Sequence, residues 1–186
     1  FATYSSVPVI NALTNMYHPC QLLADMLTYQ EHKGEISGKK VCWLGDGNNM
    51  CHSYINAAKQ FDFELTICCP SEYKPDDTLL EKNKECVQLI GDPNDAIANA
   101  DLVVTDVWAS MGQKEEVDQR VKIFSPLQVN QELIKHAKND YMFMHCLPAN
   151  RSQEVSSEVI DGSQSYVWQE AQNRLHVQKE LLLNFL

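Results

Sequence analysis

An α/β fold is what this sequence predicts: a doubly wound, mainly parallel sheet in a three-layer α/β/α arrangement, with flanking N-terminal and C-terminal helices. Three observations carry that expectation. Short apolar runs of strand length alternate with stretches of helical periodicity, the pattern of successive βαβ units. Three of those runs break off abruptly into polar clusters. Lys40-Val41-Cys42-Trp43-Leu44 leads into Gly45-Asp46-Gly47-Asn48-Asn49, Leu102-Val103-Val104-Thr105 into Asp106-Val107-Trp108-Ala109-Ser110-Met111-Gly112, and Tyr141-Met142-Phe143-Met144 into His145-Cys146-Leu147-Pro148. In an open parallel sheet the strand carboxyl ends share one edge, and ligands bind in the crevice there, so the three clusters are expected to converge.

Taken in order, residues 7–33 contain a long helical candidate. Leu22, Leu23, Met26 and Leu27 form its apolar stripe, and Gln30-Glu31-His32-Lys33 supplies a polar end before Gly34 stops it. Pro19 suits a first helical position, which puts His18 at the N-cap with the helix dipole behind it. After the turn Ile36-Ser37-Gly38 come strand one at 40–44 and a helix from about Met50 to Gln60. Strand two is Glu64–Cys69, halted by Pro70. Residues 77–86 read as helix, 87–90 as strand three, and a helix opened by Pro93 runs to Ala100. Strand four is 101–106, followed by a charged polar loop over 112–122. Asn130 caps a helix at 131–138. Strand five is 141–146. The tail from Glu170 is helical, with Leu175, Leu181, Leu182 and Leu183 giving an apolar face. The expected organisation is a linking segment and helix over 1–34, an α/β domain over 35–169, and a C-terminal helix over 170–186.

Composition narrows the function. The 186 residues include 44% apolar residues, ample for a core, and no run approaches the ~18–20 apolar residues that span a bilayer. The net charge of −10 repels phosphate backbones, which argues against nucleic-acid binding. The opening Phe1-Ala2-Thr3-Tyr4-Ser5-Ser6 lacks the basic and apolar regions of a secretory signal, and the absence of an initiator Met suggests a piece of a longer chain. Seven Cys, an odd number, are therefore read as reduced thiols in a cytoplasmic setting. No C-x-x-C spacing supports a structural zinc site, and no metal is expected.

The motifs have both functional and ordinary readings. Gly45-x-Gly47-x-x-Met50 follows a strand and opens a helix, as a dinucleotide fingerprint does. Met50 stands where the third Gly belongs, however, and strand two ends in Cys69-Pro70 without an acid to hold a ribose, so nicotinamide binding is disfavoured. Asn48 and Asn49 are helix caps or ligand contacts. His18 is a boundary residue, or a donor at a helix N-terminus, where anions and carbonyl oxygens are attracted. Asp106 is a turn residue, a base or an ammonium partner. Cys146 is a poised thiol or a small buried hydrophobe. Arg174 is a solvated charge or a site cation.

Taken together, His18-Pro19-Cys20-Gln21, Gly45-Asp46-Gly47-Asn48-Asn49, Asp106-x-x-x-Ser110-Met111-Gly112 and His145-Cys146-Leu147-Pro148 closely resemble the carbamoyltransferase family. The Ser-Met-Gly and Cys-Leu-Pro stretches are those of its ornithine branch. Val7-Pro8-Val9-Ile10-Asn11-Ala12-Leu13 and Glu170-Ala171-Gln172-Asn173-Arg174-Leu175-His176 look like the family's flanking segments, so the resemblance covers nearly the whole chain. It implies attack by the δ-amine of L-ornithine on carbamoyl phosphate, giving L-citrulline and phosphate, with no cofactor. It further implies that Asn49, Asp106, Ser110 and Met111 hold ornithine, while His18, Gln21, Cys146, Leu147 and Arg174 face carbamoyl phosphate. His18, Cys146, Asp106 and Arg174 are the catalytic candidates.

The family's N-terminal domain carries a Ser-x-Arg-Thr phosphate-binding segment that is not found here, so the chain resembles the ornithine-binding half plus the linking helix. By the same resemblance the intact enzyme is a homotrimer or larger, and this portion alone is monomeric and inactive. Where many members read Ala-His-Arg-Gly-x-Glu-Val, this chain has Ala149-Asn150-Arg151-Ser152-Gln153-Glu154-Val155, an altered loop. Competing readings are a carbamoyltransferase for another amine, such as putrescine or an acylated ornithine, and a non-catalytic amino-acid-binding module.

Overall fold

Five parallel strands form one sheet: β1 (Lys40–Leu44), β2 (Glu64–Cys68), β3 (Val87–Leu89), β4 (Leu102–Thr105) and β5 (Met142–His145), in the order β3-β2-β1-β4-β5. The structure is a computed structural model, and it describes residues 1–109 and 117–185. The chain builds outward from β1 to β3 on one side and then crosses over to lay down β4 and β5 on the other. The reversal falls between β1 and β4. The register aligns Leu44 with Thr105 and Thr105 with His145, so the residues that follow these three strands emerge side by side.

Strand residues face both ways into apolar layers, as a sheet covered on both sides requires. One layer joins Val41, Trp43, Leu65, Ile67, Val104 and Met144 to α1 (Pro19–Lys33) and α2 (Asn49–Gln60). The short helix α3 (Asp77–Lys82) joins this same layer through Leu79. The other layer joins Cys42, Leu44, Val103 and Phe143 to α4 (Pro93–Ile97), α5 (Val117–Phe124), α6 (Gln131–Ile134) and α7 (Ser157–Ile160), chiefly α4, α6 and α7. The last helix, α8 (Val167–Phe185), lies along α1. It is tied there by Asn173, whose Nδ2 donates to Thr28 Oγ1 at 2.9 Å and to Glu31 Oε2 at 2.8 Å.

Several boundaries differ from the sequence-based expectation. The helix within 7–33 occupies only Pro19–Lys33. Pro19 disfavours helical geometry in the residue before it, and His18 accordingly sits at φ −130°, ψ 63°. Helix α3 stops at Lys82 because Asn83 caps it, its Nδ2 donating to Leu79 O. The polar stretch 112–122 holds the start of α5 in its second half, where Arg120 is buried against the Tyr73 and Phe124 rings. Helix α8 begins at Val167, three residues before Glu170. It buries Val167, Glu170 and Asn173, while Leu175, Leu182 and Leu183 are exposed.

The turn after β1 needs both its glycines. Gly45 has φ +142°, a conformation that residues with a Cβ avoid. At Gly47 an added Cβ would lie 2.3 Å from Pro75 N and 2.6 Å from Tyr73 O, so the 73–75 backbone seats directly on it. The turn thereby brings Asn48 to the mouth of α2.

Candidate functional site

At the reversal between β1 and β4, Asn48 and Asp106 face each other. Asn48 caps α2: its Oδ1 accepts from Met50 N at 3.0 Å and Cys51 N at 3.1 Å. That leaves its Nδ2 to donate to Asp106 Oδ2 at 2.8 Å. Asp106 Oδ1 accepts from Val107 N at 2.7 Å and from Cys146 Sγ at 3.1 Å. All three donors are neutral. Among the described residues no cation lies within ion-pair distance of Asp106, so the nearly buried carboxyl group faces the crevice without a counter-ion. Burial, and then the Asp106 carboxylate, push the Cys146 thiol well above its ordinary range, so it is an S–H donor at neutral pH and not a thiolate.

Asn49 sits one residue along, and its Nδ2 donates to Thr14 O at 2.8 Å. It is thus turned toward the segment before α1, and Asn48 is the asparagine bonded to Asp106. Ser110 and Met111 lie outside the described residues.

The N-terminus of α1 closes the crevice from the side. The His18 backbone N–H donates to Ser53 Oγ at 2.8 Å, and that hydroxyl donates to Asn49 O at 2.8 Å, joining α1 to the first turn of α2. His18 Nδ1 is buried and has no partner among the described residues. Burial first, and the Arg174 charge second, lower the His18 pKa, while the Ala12 backbone and then the Asp106 charge oppose them. The imidazole therefore stands neutral between one cation and one anion. Gln21, one turn further along, is buried and accepts from Arg174 Nη1 at 2.7 Å through Oε1. With the Gln178 amide turned so that its oxygen faces the guanidinium, it accepts from Arg174 Nη2 at 2.8 Å. Among the described residues no carboxylate lies within ion-pair distance of Arg174.

The loop after β5 is held from beneath. His145 is buried, its Nδ1 accepts from Leu147 N at 2.9 Å, and its Nε2 lies 3.2 Å from Glu154 Oε1. The proton is therefore on Nε2. Glu154 also accepts from Asn150 N. Leu147 has φ +53° and precedes a cis peptide to Pro148. The loop's departure from the family pattern has a visible consequence at Ser152, which takes φ +70°, a conformation suited to glycine.

The structure thus gathers His18, Gln21, Asp106, Cys146, Leu147 and Arg174 around one sheet edge. Sequence reasoning missed Asp25, Tyr54 and Glu170, which underlie Gln21, and Arg120, which pairs with Asp46 beneath the turn after β1. An acid at Asp25 amid Leu22, Leu23 and Met26 was a readable signal. Asp106, His145 and Cys146 place potential ligand atoms within 4.8 Å of one another, but both His145 ring nitrogens are already committed, so the trio is not an open metal site. A cavity of about 530 Å³ lined by Met26, Ile36, Phe61 and Leu181 lies instead by the amino end of β1 and lacks this chemistry. No described helix is long and apolar enough to cross a membrane.

Comparison with known proteins agrees with this fold. The model for the aspartate/ornithine carbamoyltransferase Asp/Orn binding domain matches residues 37–185, and that for the carbamoyl-P binding domain matches residues 1–31. The chain is 61% identical over 186 residues to an ornithine carbamoyltransferase of Nitrosococcus oceani, covering 100% of itself and 61% of that protein. Among solved structures it is similar to an ornithine carbamoyltransferase from Pyrococcus furiosus, with TM-score 0.92 and 49% identity, covering 97% of this chain and 60% of that one. It is also similar to an N-acetyl-L-ornithine transcarbamylase variant, with TM-score 0.85 and 30% identity, covering 100% of this chain and 61% of that one. The chain spans about three-fifths of the length of these relatives.

Proposed function

This chain belongs to the aspartate/ornithine carbamoyltransferase family, and from that premise we propose that the full-length protein transfers the carbamoyl group of carbamoyl phosphate to the δ-amine of L-ornithine. The products are L-citrulline and phosphate, and this chain is the ornithine-binding half. The observation that carries the reading is the pair of charges around His18. Asp106 has only neutral partners, Arg174 has only amide partners, and the charges of both act on the same imidazole.

The chemistry follows from those charges. Asp106 pairs with the α-ammonium of ornithine, and Asn49 donates to its carboxylate, assisted by Ser110 and Met111. Only the far amine then reaches the carbamoyl carbon. That amine has an ordinary pKa near ~10.4 and must be neutral to attack, and the protonated thiol of Cys146 adds no charge that would hold it as an ammonium. As the new N–C bond forms, the carbonyl oxygen takes up negative charge. Neutral His18 and Arg174 donate to that oxygen, while Gln21 and the Leu147 backbone engage the carbamoyl NH2. The tetrahedral centre collapses, the C–O bond breaks with its electron pair going to the leaving phosphate, and that phosphate takes up the proton the amine nitrogen loses. L-ornithine and carbamoyl phosphate are the small-molecule partners, and the full-length protein is proposed to act as a homotrimer or larger assembly in the cytoplasm.

The test is citrulline formation by the purified full-length protein, with putrescine and N-acetyl-ornithine assayed in parallel. Turnover confined to ornithine supports the reading. A preference for another amine shifts the substrate, and ornithine binding without turnover leaves an amino-acid-binding module. The 186-residue chain alone is expected to turn over nothing, because only its first 31 residues match the carbamoyl-P domain.

A further inference from the structure

Beneath the crevice lie two carboxyl groups that the transfer chemistry does not touch. Asp25 is 0% exposed and Glu170 is 1% exposed. They come from α1 and α8, and both accept from one donor, Gln21 Nε2, at 2.9 and 2.8 Å. Their outer oxygens are also taken: Tyr54 OH donates to Asp25 Oδ2 at 2.7 Å, and the His145 backbone N–H donates to Glu170 Oε2 at 3.0 Å. The ionisable groups facing them are Tyr54 on α2, Arg174 on α8 and Cys146 after β5, with Asp106 and His18 beyond. Arg174 bonds the Gln21 oxygen and neither acid.

Two ionised carboxylates in so dry a place repel strongly, and such a pair ordinarily keeps one proton between its members. Gln21 Nε2 bridges one oxygen of Asp25 and one of Glu170, which holds the two carboxyl groups against each other. Burial raises Asp25 to about 6, and burial together with the Asp25 charge pushes Glu170 well above the carboxylate range, so Glu170 holds the proton at neutral pH. A primary amide has one donor end and one acceptor end. Against a pair whose remaining lone pairs only accept, only the NH2 end of Gln21 fits.

We propose that Asp25 and Glu170 share one proton and serve as positioning residues that lock the Gln21 amide with its NH2 buried and its oxygen on Arg174, so aiming both groups at the substrate. The aim at a carbamoyl group rests on the function proposed above; the shared proton and the fixed amide rest on the burial of the two acids and their common contact with Gln21.

The experiment uses the full-length protein. Infrared spectra at neutral pH, with glutamate carboxyl carbons isotopically labelled, are expected to show a buried protonated acid whose band shifts with the label and vanishes in Glu170→Gln. Lack of that band in the folded wild type overturns the proposal, whatever the variants do. Steady-state kinetics then test the positioning. Asp25→Asn is expected to lower kcat by about a hundredfold, the cost of a small misplacement, with ornithine KM little changed. Glu170→Gln, which keeps the neutral donor, is expected to lose only about tenfold, near the worth of one hydrogen bond. Equal and small losses in both, or a loss confined to ornithine KM, overturn it. If the wild type makes no citrulline, the function is wrong and the infrared result still decides the pair.

Discussion

Asn48 and Asp106 are joined by a 2.8 Å hydrogen bond that runs from the cap of α2 to the end of β4, across the reversal in the sheet. One asparagine thereby does two things: its oxygen ends a helix, and its nitrogen orients the carboxylate proposed to receive ornithine.

Asn48→Ser separates those tasks. Serine caps a helix about as well as asparagine but is too short to reach Asp106. Stability by urea denaturation is expected to change by less than about 1 kcal/mol. The kcat/KM for ornithine is expected to fall roughly tenfold to a hundredfold, the worth of a hydrogen bond to a charged group.

Asp106→Asn keeps the shape of the side chain and removes its charge. If Asp106 holds the α-ammonium, ornithine KM rises and kcat/KM falls by about a hundredfold or more, the cost of breaking a desolvated charge pair. The KM for carbamoyl phosphate is expected to move far less. Unchanged ornithine kinetics in the full-length variant would count against the assignment.

Ser152→Gly tests the altered loop. Holding a non-glycine residue at φ +70° costs about 1–2 kcal/mol, and glycine gives back roughly 0.5–1 of this through its freer unfolded state. A net gain of up to about 1 kcal/mol is expected, seen as a higher urea midpoint with an unchanged slope.

Asp25 makes a pH prediction. Its folded pKa is raised from 3.8 to about 6, so the folded chain binds more protons than the unfolded chain between those values. Its stabilising contribution is full below pH 3.8 and is lost as pH rises through about 6, on the order of 3 kcal/mol. The stability difference between wild type and Asp25→Asn should therefore decline with pH across that window. A difference that is flat, or that rises, contradicts the buried acid.

The strand ends were legible because apolar runs stopping at polar clusters are a local pattern, and the parallel sheet does the rest. Pro19 likewise announced His18 as a cap. What escaped was set by partners distant in sequence. Arg120 reads as a loop charge until Tyr73, Phe124 and Asp46 surround it. Glu170 reads as a first-turn acid until α8 lies on α1 and brings it to Gln21. Which of Asn48 and Asn49 becomes the cap of α2 was not readable either, since the sequence offers two adjacent asparagines and only the fold sets Asn48 on Asp106. The outward leucines of α8 misled because helical periodicity reports a greasy stripe without saying what covers it.

The alignment of Leu44, Thr105 and His145 in one row gives the ladder the role of a ruler. Adjacent strands sit about 4.8 Å apart, and that spacing, not any loop, fixes the gap between Asp106 and Cys146. Adding a single amino acid within β4 would swing Asp106 to the opposite side of the sheet and dismantle the crevice at once. Lengthening a connection at the amino ends of the strands would leave it untouched. The crevice accordingly depends on chain length at one pole of the sheet and is indifferent to it at the other.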